Sequence, residues 1–447
     1  MYRDNAQVNF LNVILGVLLT ILLSLSVLGL PKTFFLLLAF SFFIFLISFA
    51  YTDFAFLFLI FSIFLSPEIK LGMAGGREVV LRMDDVFLFV VFFGWLARLA
   101  VNKEMGLLKT NPLNRPLLVY IFISLVATLL GVLRGYAKLN ISIFYLLKYF
   151  EYYLLFFMVT NHLKDKKQMK AFIFYILVVS LLISLYGFIM HLKGVERVTA
   201  PFEGDKGEAN TLGGYLVFIL MLATSFFIHS DSIKERLFLS LVLLLGYPTL
   251  IFTLSRGSWL AFIPAFITLI LLTRRAKLML ILISVLLVLL SPFIFPRYFF
   301  ARIHYTFLPG RHFVILGKAI NLEESAAARI EVFKAALKRW VKEPILGYGI
   351  GSPSPILDNQ YARLMLEVGS VGMLGFFWVI FTIFKYCLNN LKDIEDRFAT
   401  SLITGFLAGL VGLLVHGLSA ETFIIIRIME PFWFLTAMVV RLSDFYS

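Results

Sequence analysis

AFIFYILVVSLLISLYGFIM, residues 171–190, runs for twenty residues without a charge. A helix of that length is about 30 Å long, which matches the hydrocarbon core of a bilayer. Apolar runs of this kind recur near 8–30, 32–50, 52–66, 84–101, 115–133, 142–160, 169–191, 210–229, 236–253, 256–273, 276–296, 361–387, 399–418 and 424–441. The run at 52–66 is short for a crossing, so the pattern predicts an all-α polytopic membrane protein with 12–14 transmembrane helices. Composition agrees: of 447 residues 60% are apolar, 15% are charged, and 50 are phenylalanine. A soluble domain keeps roughly a quarter of its residues charged. A soluble enzyme, a disordered chain and a disulfide scaffold are thereby excluded. The single cysteine, Cys387, rules out an internal disulfide and any multi-cysteine metal site. Val27-Leu28-Gly29-Leu30-Pro31 follows the first apolar run where a small-residue cleavage site would stand, so that run reads as a retained span.

The net charge is +13, from 40 Lys and Arg against 27 Asp and Glu. In a soluble protein this would suggest nucleic acid, but no RNA- or DNA-binding motif is present. In a membrane protein it reads as cytoplasmic-loop charge plus a site for anionic lipid or phosphate. Lys and Arg concentrate after even-numbered spans, as in Arg98–Arg115, Lys164–Lys170, Arg274–Lys277 and Lys385–Arg397. That bias predicts a cytoplasmic N-terminus. Loop 192–209, the Ser255-Arg256 junction and loop 297–360 then share the outward side. The expected organisation is a bundle over 1–296, an external loop over 297–360 and C-terminal transmembrane helices over 361–447.

Within that long loop, SAAARIEVFKAALKRWVK (325–342) reads as a helix with Ser325 as N-cap and Pro344 beyond its end. Ile330, Phe333, Leu337 and Trp340 share one face, and Lys334, Lys338 and Lys342 lie on others. Such a basic amphipathic helix suits a membrane surface or a lid packed on the spans. Gly347-Tyr348-Gly349-Ile350-Gly351 lacks the flanking strand and helix of a nucleotide-binding turn and reads as a flexible elbow. Arg256, between two apolar runs, is costly there unless it serves an anion. Its guanidinium is a planar fork suited to phosphate, while snorkelling to headgroups is the plainer use of such a residue. Arg197, in a Gly- and Pro-rich loop, could share one diphosphate with it, and Asn210 follows at the mouth of the next span. Asp358 reads as a general base or a helix N-cap. Glu367, four residues after Arg363, reads as an internal ion pair. His304 and His312 lack a metal-ligand spacing, Asp84-Asp85 is not a DxD arrangement, and His416 has no evident partner. Glu151, beside Lys148, and Glu421 are the charges that fall away from span ends.

Three segments in order carry a resemblance: RVTAPFEGDKGEANTLGGYL (197–216), TLSRGSW (253–259) and ARIEVFKAALKRWVKEPILGYGIGSPSPILDNQYARLMLEVGSVGMLGF (328–376). The chain resembles the O-antigen ligase and O-antigen polymerase superfamily of bacterial envelope membrane proteins over roughly 180–380. The resemblance implies a type C glycosyltransferase-like architecture with its site on the outer side of the cytoplasmic (inner) membrane. It implies transfer of a glycan from an undecaprenyl diphosphate carrier to a glycan, lipid or protein acceptor, with inversion, no nucleotide sugar, no cofactor and no metal. Arg197 and Arg256 would hold the diphosphate. Arg329, Asn359, Tyr361, Asn210 and Glu367 would bind substrate. Ligases carry a His-Asn pair where this chain has Asp358-Asn359, which makes a polymerase or another ligase subtype credible and gives Asp358 the place of the histidine. A transporter or flippase of lipid-linked sugars is the competing class. It predicts ionisable residues inside several spans and internal repeats, and no convincing repeat is found.

Overall fold

The computed structural model describes residues 32–445 apart from 67, 75–76, 104–108, 202–206, 275, 295–296, 306–310, 316–317, 323 and 353–357. The expected span at 8–30 lies outside them. Helices occupy every other predicted run: α1 (Lys32–Ala50), α2 (Thr52–Leu65), α3 (Met83–Val101), α4 (Asn114–Leu133), α5 (Leu139–His162), α6 (Lys166–Leu192), α7 (Ala209–His229), α8 (Ile233–Phe252), α9 (Arg256–Leu272) and α10 (Lys277–Ile294). Two shorter helices follow, α11 (Arg297–Tyr305) and α12 (Glu324–Trp340). The last three are α13 (Gln360–Asp393), α14 (Arg397–His416) and α15 (Ile426–Arg441). Among the described residues seven helices are long and apolar enough to cross a membrane: α4, α5, α6, α7, α8, α13 and α14. Shorter apolar helical stretches lie at Leu38–Ala50, Thr52–Ile63, Arg256–Leu272 and Lys277–Leu286. This is a multi-pass membrane protein. Its connections hold two antiparallel hairpins absent from the sequence reading, β1–β2 (Glu68–Ala74 with Arg77–Arg82) and β3–β4 (Arg311–Ile315 with Lys318–Leu322).

One apolar core runs from Ile44 on α1 to Leu442 beyond α15. Its axis is α7, whose apolar stretch is 89% buried. A helix buried on all sides must be apolar all round, and Leu212 and Leu216 to Met221 satisfy this. Helices in lipid approach closely through small residues. On α14, Gly405, Gly409 and Gly412 face Leu222, Phe218 and Val217 of α7.

Two segments depart from expectation. Helix α12 begins at Glu324, so Ser325 lies inside it rather than capping it, and it ends at Trp340. Its Val332, Phe333, Leu337 and Trp340 pack with Ala336 against Ala362, Met365 and Leu366 of α13, and Lys334 and Lys338 stay exposed. The lid-like packing is therefore formed. The Gly347–Gly351 segment is not a flexible elbow. Gly347, Gly349 and Gly351 have φ of 67°, 90° and 76°, and the segment is buried. It fills a break in α13 at Gly369, where φ is 63°. The break leaves carbonyls unsatisfied, and Tyr348 N–H donates to Leu366 O (2.7 Å) and Gly349 N–H to Glu367 O (2.9 Å).

Candidate active site

Three helices start at one end of the bundle, around the turn that follows α14. At α9, Ser255 is the N-cap: Ser258 N–H donates to its Oγ (3.3 Å), and that Oγ donates to Asn210 Oδ1 at the start of α7 (2.8 Å). At α13, Asn359 is the N-cap, accepting from Tyr361 N–H and Ala362 N–H, each at 3.0 Å. Asn359 Nδ2 donates to Leu418 O (3.0 Å), and Gln360 N–H donates to Gly417 O (2.8 Å). The cap at α13 is therefore Asn359, and Asp358 is left for another role. Gly257 abuts the same turn, where a Cβ would collide with Ser419 Oγ. Each N-terminus carries partial positive charge, which suits an anion.

Arginines gather at this end. Arg197 Nε donates to Thr253 O (3.4 Å), which ties the loop after α6 to the end of α8. Partial burial, then the guanidiniums of Arg302 and Arg329, lower the Arg197 pKa; Glu208 offsets some of this, and Arg256 adds to it. Arginines from α9, α11 and α12 thus all act on the loop residue Arg197. Like charges brought together repel one another, and a polyanion relieves the repulsion. The residue before the Ser255 cap, Leu254, has φ 49°. A non-glycine residue in that region costs about 1–3 kcal/mol, and such strain collects at functional sites.

Arg329 also lies 3.8 Å from Asp358, whose side chain is half exposed. The structure thus brings together Arg197, Arg256, Arg329 and Asp358, with Asn210 supporting the α9 cap. It does not bring Tyr361 or Glu367 to that cluster. Tyr361 OH donates to Leu414 O (2.6 Å). Glu367 pairs with Arg363 (3.0 Å) and accepts from Gly351 N–H (3.1 Å). Arg363 also pairs with Glu421 (2.7 Å) and lies 4.7 Å from the Tyr145 ring centroid. His416 does have a partner: its Nδ1 meets Thr422 Oγ1 at 2.8 Å. Arg302 is the residue that sequence reading missed. It sits on the short helix α11 outside every motif, and only its place after the last apolar run before the long loop could have drawn attention to it. Pro353 and Pro355 lie outside the described residues. Among the described residues no three of His, Cys, Asp and Glu form a metal-holding group.

A multi-pass helical protein with an arginine-lined end is the class that fold and site define. Residues 241–377 match the family model for O-antigen ligase, which supports the resemblance to the O-antigen ligase and polymerase superfamily. The match takes in Arg256, Arg302, Arg329 and Asp358 and leaves out Arg197 and Asn210. It supports ligase- or polymerase-type glycosyl transfer in general and implies lipid-linked glycan substrates. No curated protein matches the chain.

Proposed function

We propose that this protein transfers a glycan from an undecaprenyl diphosphate carrier to a hydroxyl of a glycan, lipid or protein acceptor. The reaction would take place on the outward face of a bacterial cytoplasmic membrane, with the N-terminus inside. The observation that carries this reading is Arg197 in the field of Arg256, Arg302 and Arg329, at the end of the bundle where α7, α9 and α13 begin. Arg197 and Arg256, with Arg302 and Arg329, grip the diphosphate and stabilise the charge that grows as the anomeric carbon–oxygen bond breaks. The Asp358 carboxylate accepts the acceptor's hydroxyl proton as the oxygen attacks the anomeric carbon. Direct displacement inverts that carbon and releases undecaprenyl diphosphate. No metal takes part in this route. The polyprenyl tail lies among the apolar spans.

The test uses purified protein in lipid nanodiscs with an undecaprenyl diphosphate oligosaccharide and no other acceptor. Products at multiples of the repeat, lost in Arg256→Ala, support polymerisation and the arginine's role. If products form only when a lipid or protein acceptor is added, the enzyme is a ligase. Unchanged product formation by Arg256→Ala at equal protein would overturn the assignment.

One observation favours a second reading, transport of lipid-linked sugars. Ionisable side chains from α3, α5 and α15 are buried together inside the bundle, as a transport route requires. Equilibration of a labelled lipid-linked sugar across proteoliposomes, with no transfer product, would favour it.

A further inference from the structure

A second charged cluster shares none of the residues above. Arg82 at the end of β2, Asp84 and Asp85 in the first turn of α3, Lys148 and Glu151 on α5, and Glu430 on α15 are each at most 6% exposed. Arg82 pairs with Asp84 at 2.5 Å and also donates to Ile63 O. Lys148 pairs with Asp85 and lies 3.6 Å from Glu151. Tyr152 on α5 faces Glu151, Glu430 and Asp85. Among the described residues, four carboxyls are therefore set against two cations.

The excess falls on two residues. Glu151 shares a lysine already bound to Asp85. Glu430 stands in the field of Asp84, Arg82, Asp85 and Glu151, and its Oε2 meets no hydrogen-bonding partner. Asp84 Oδ1, Asp85 Oδ1 and Glu151 Oε2 are likewise buried without one. Glu151 and Asp85 nonetheless flank the same Lys148 ammonium, which brings the two carboxyls close together. Ionised carboxylates only accept, so two of them cannot bond to each other. A proton between them removes both the repulsion and the orphaned oxygens. Two uncompensated negative charges inside a membrane bundle are far costlier than two neutral acids.

We propose that this cluster is a two-proton binding site, with one proton on Glu151, donated toward Asp85, and one on Glu430. The open oxygens of Asp84 and Asp85 are the acceptors. Helix α15 also carries Arg427, which donates to Pro201 O at 2.7 Å, four residues from Arg197. The proton site and the loop of the candidate active site therefore share one helix.

Infrared spectroscopy of the whole protein in nanodiscs, without substrate, tests this through the carboxylic-acid carbonyl stretch. At neutral pH the wild type shows this band. Glu430→Gln and Glu151→Gln each remove about half of it and the double variant removes it, because the site holds two acids. Thermal melting of the single variants stays near wild type, since glutamine copies a neutral acid in shape and charge. Absence of the band in wild type, or its persistence in the double variant, overturns the proposal. A band that emerges only when sodium and potassium are replaced by a large organic cation also overturns it, in favour of a metal-cation site. If the variants do not fold, titration of the wild type decides. A band that outlasts the protonation range of exposed carboxyls upholds the site, and a band lost within that range refutes it.

Discussion

Two sets of arginines sit near one end of this bundle and serve opposite ends. Arg363 is buried between Glu367 and Glu421, at 3.0 and 2.7 Å, over the face of Tyr145. Arg197 instead lies in the field of Arg256, Arg302 and Arg329, and the half-exposed Asp358 is 3.8 Å from Arg329. A cation with fixed carboxylates has its charge satisfied within the fold and can do little for a ligand. A group of cations facing each other stores repulsion that only an incoming anion removes. Two close carboxylates mark Arg363 as scaffold, and the field of three other guanidiniums marks Arg197 as site.

The comparison predicts a graded series. Arg363→Met removes the buried cation that pairs with Glu367 and costs about 3–5 kcal/mol. Thermal melting in nanodiscs should show this as a large loss of folded protein, partly restored by adding Glu421→Gln. Arg256→Ala should melt near wild type yet lose about 100- to 1,000-fold in transfer rate, the usual result of deleting a group that holds developing charge. A comparable loss of stability in Arg256→Ala would erase the distinction between the two sets. Arg302→Ala should weaken binding of inorganic pyrophosphate about tenfold, in line with one charge-assisted hydrogen bond of about 1.5 kcal/mol. The smallest effect belongs to the exposed Arg134–Glu343 pair at 2.9 Å. Glu343→Gln should change stability by less than about 1 kcal/mol and leave pyrophosphate binding alone, as calorimetry and melting can check.

Local order was legible in the sequence, and long-range order was not. Apolar run length foretold the helices from α1 onward, and i, i+4 spacing foretold the Arg363–Glu367 pair. The amphipathic pattern of 325–342 foretold α12 to within two residues at each end. The break in α13 was not legible, because Gly369 looks like any other glycine in an apolar run until residues 344–351 occupy the gap beside it. Glu421 lies 58 positions from Arg363, and no periodicity links them. Arg302 has no motif and acquires meaning only when α11 folds back toward Arg197. The acidic cluster is hidden for the same reason, since Asp84, Glu151 and Glu430 come from three distant helices. The β1–β2 hairpin follows a glycine-containing stretch that reads as a plain loop.

The central claim is that Arg197, Arg256, Arg302 and Arg329 take a diphosphate. Binding of inorganic pyrophosphate to the purified protein in nanodiscs, followed by calorimetry at two salt concentrations, tests it most directly. The account predicts binding by wild type that weakens with salt, drops at least about tenfold in Arg256→Ala and Arg302→Ala, and is unchanged in Glu343→Gln. Equal affinity in all four proteins, or no binding by wild type at low salt, would contradict it.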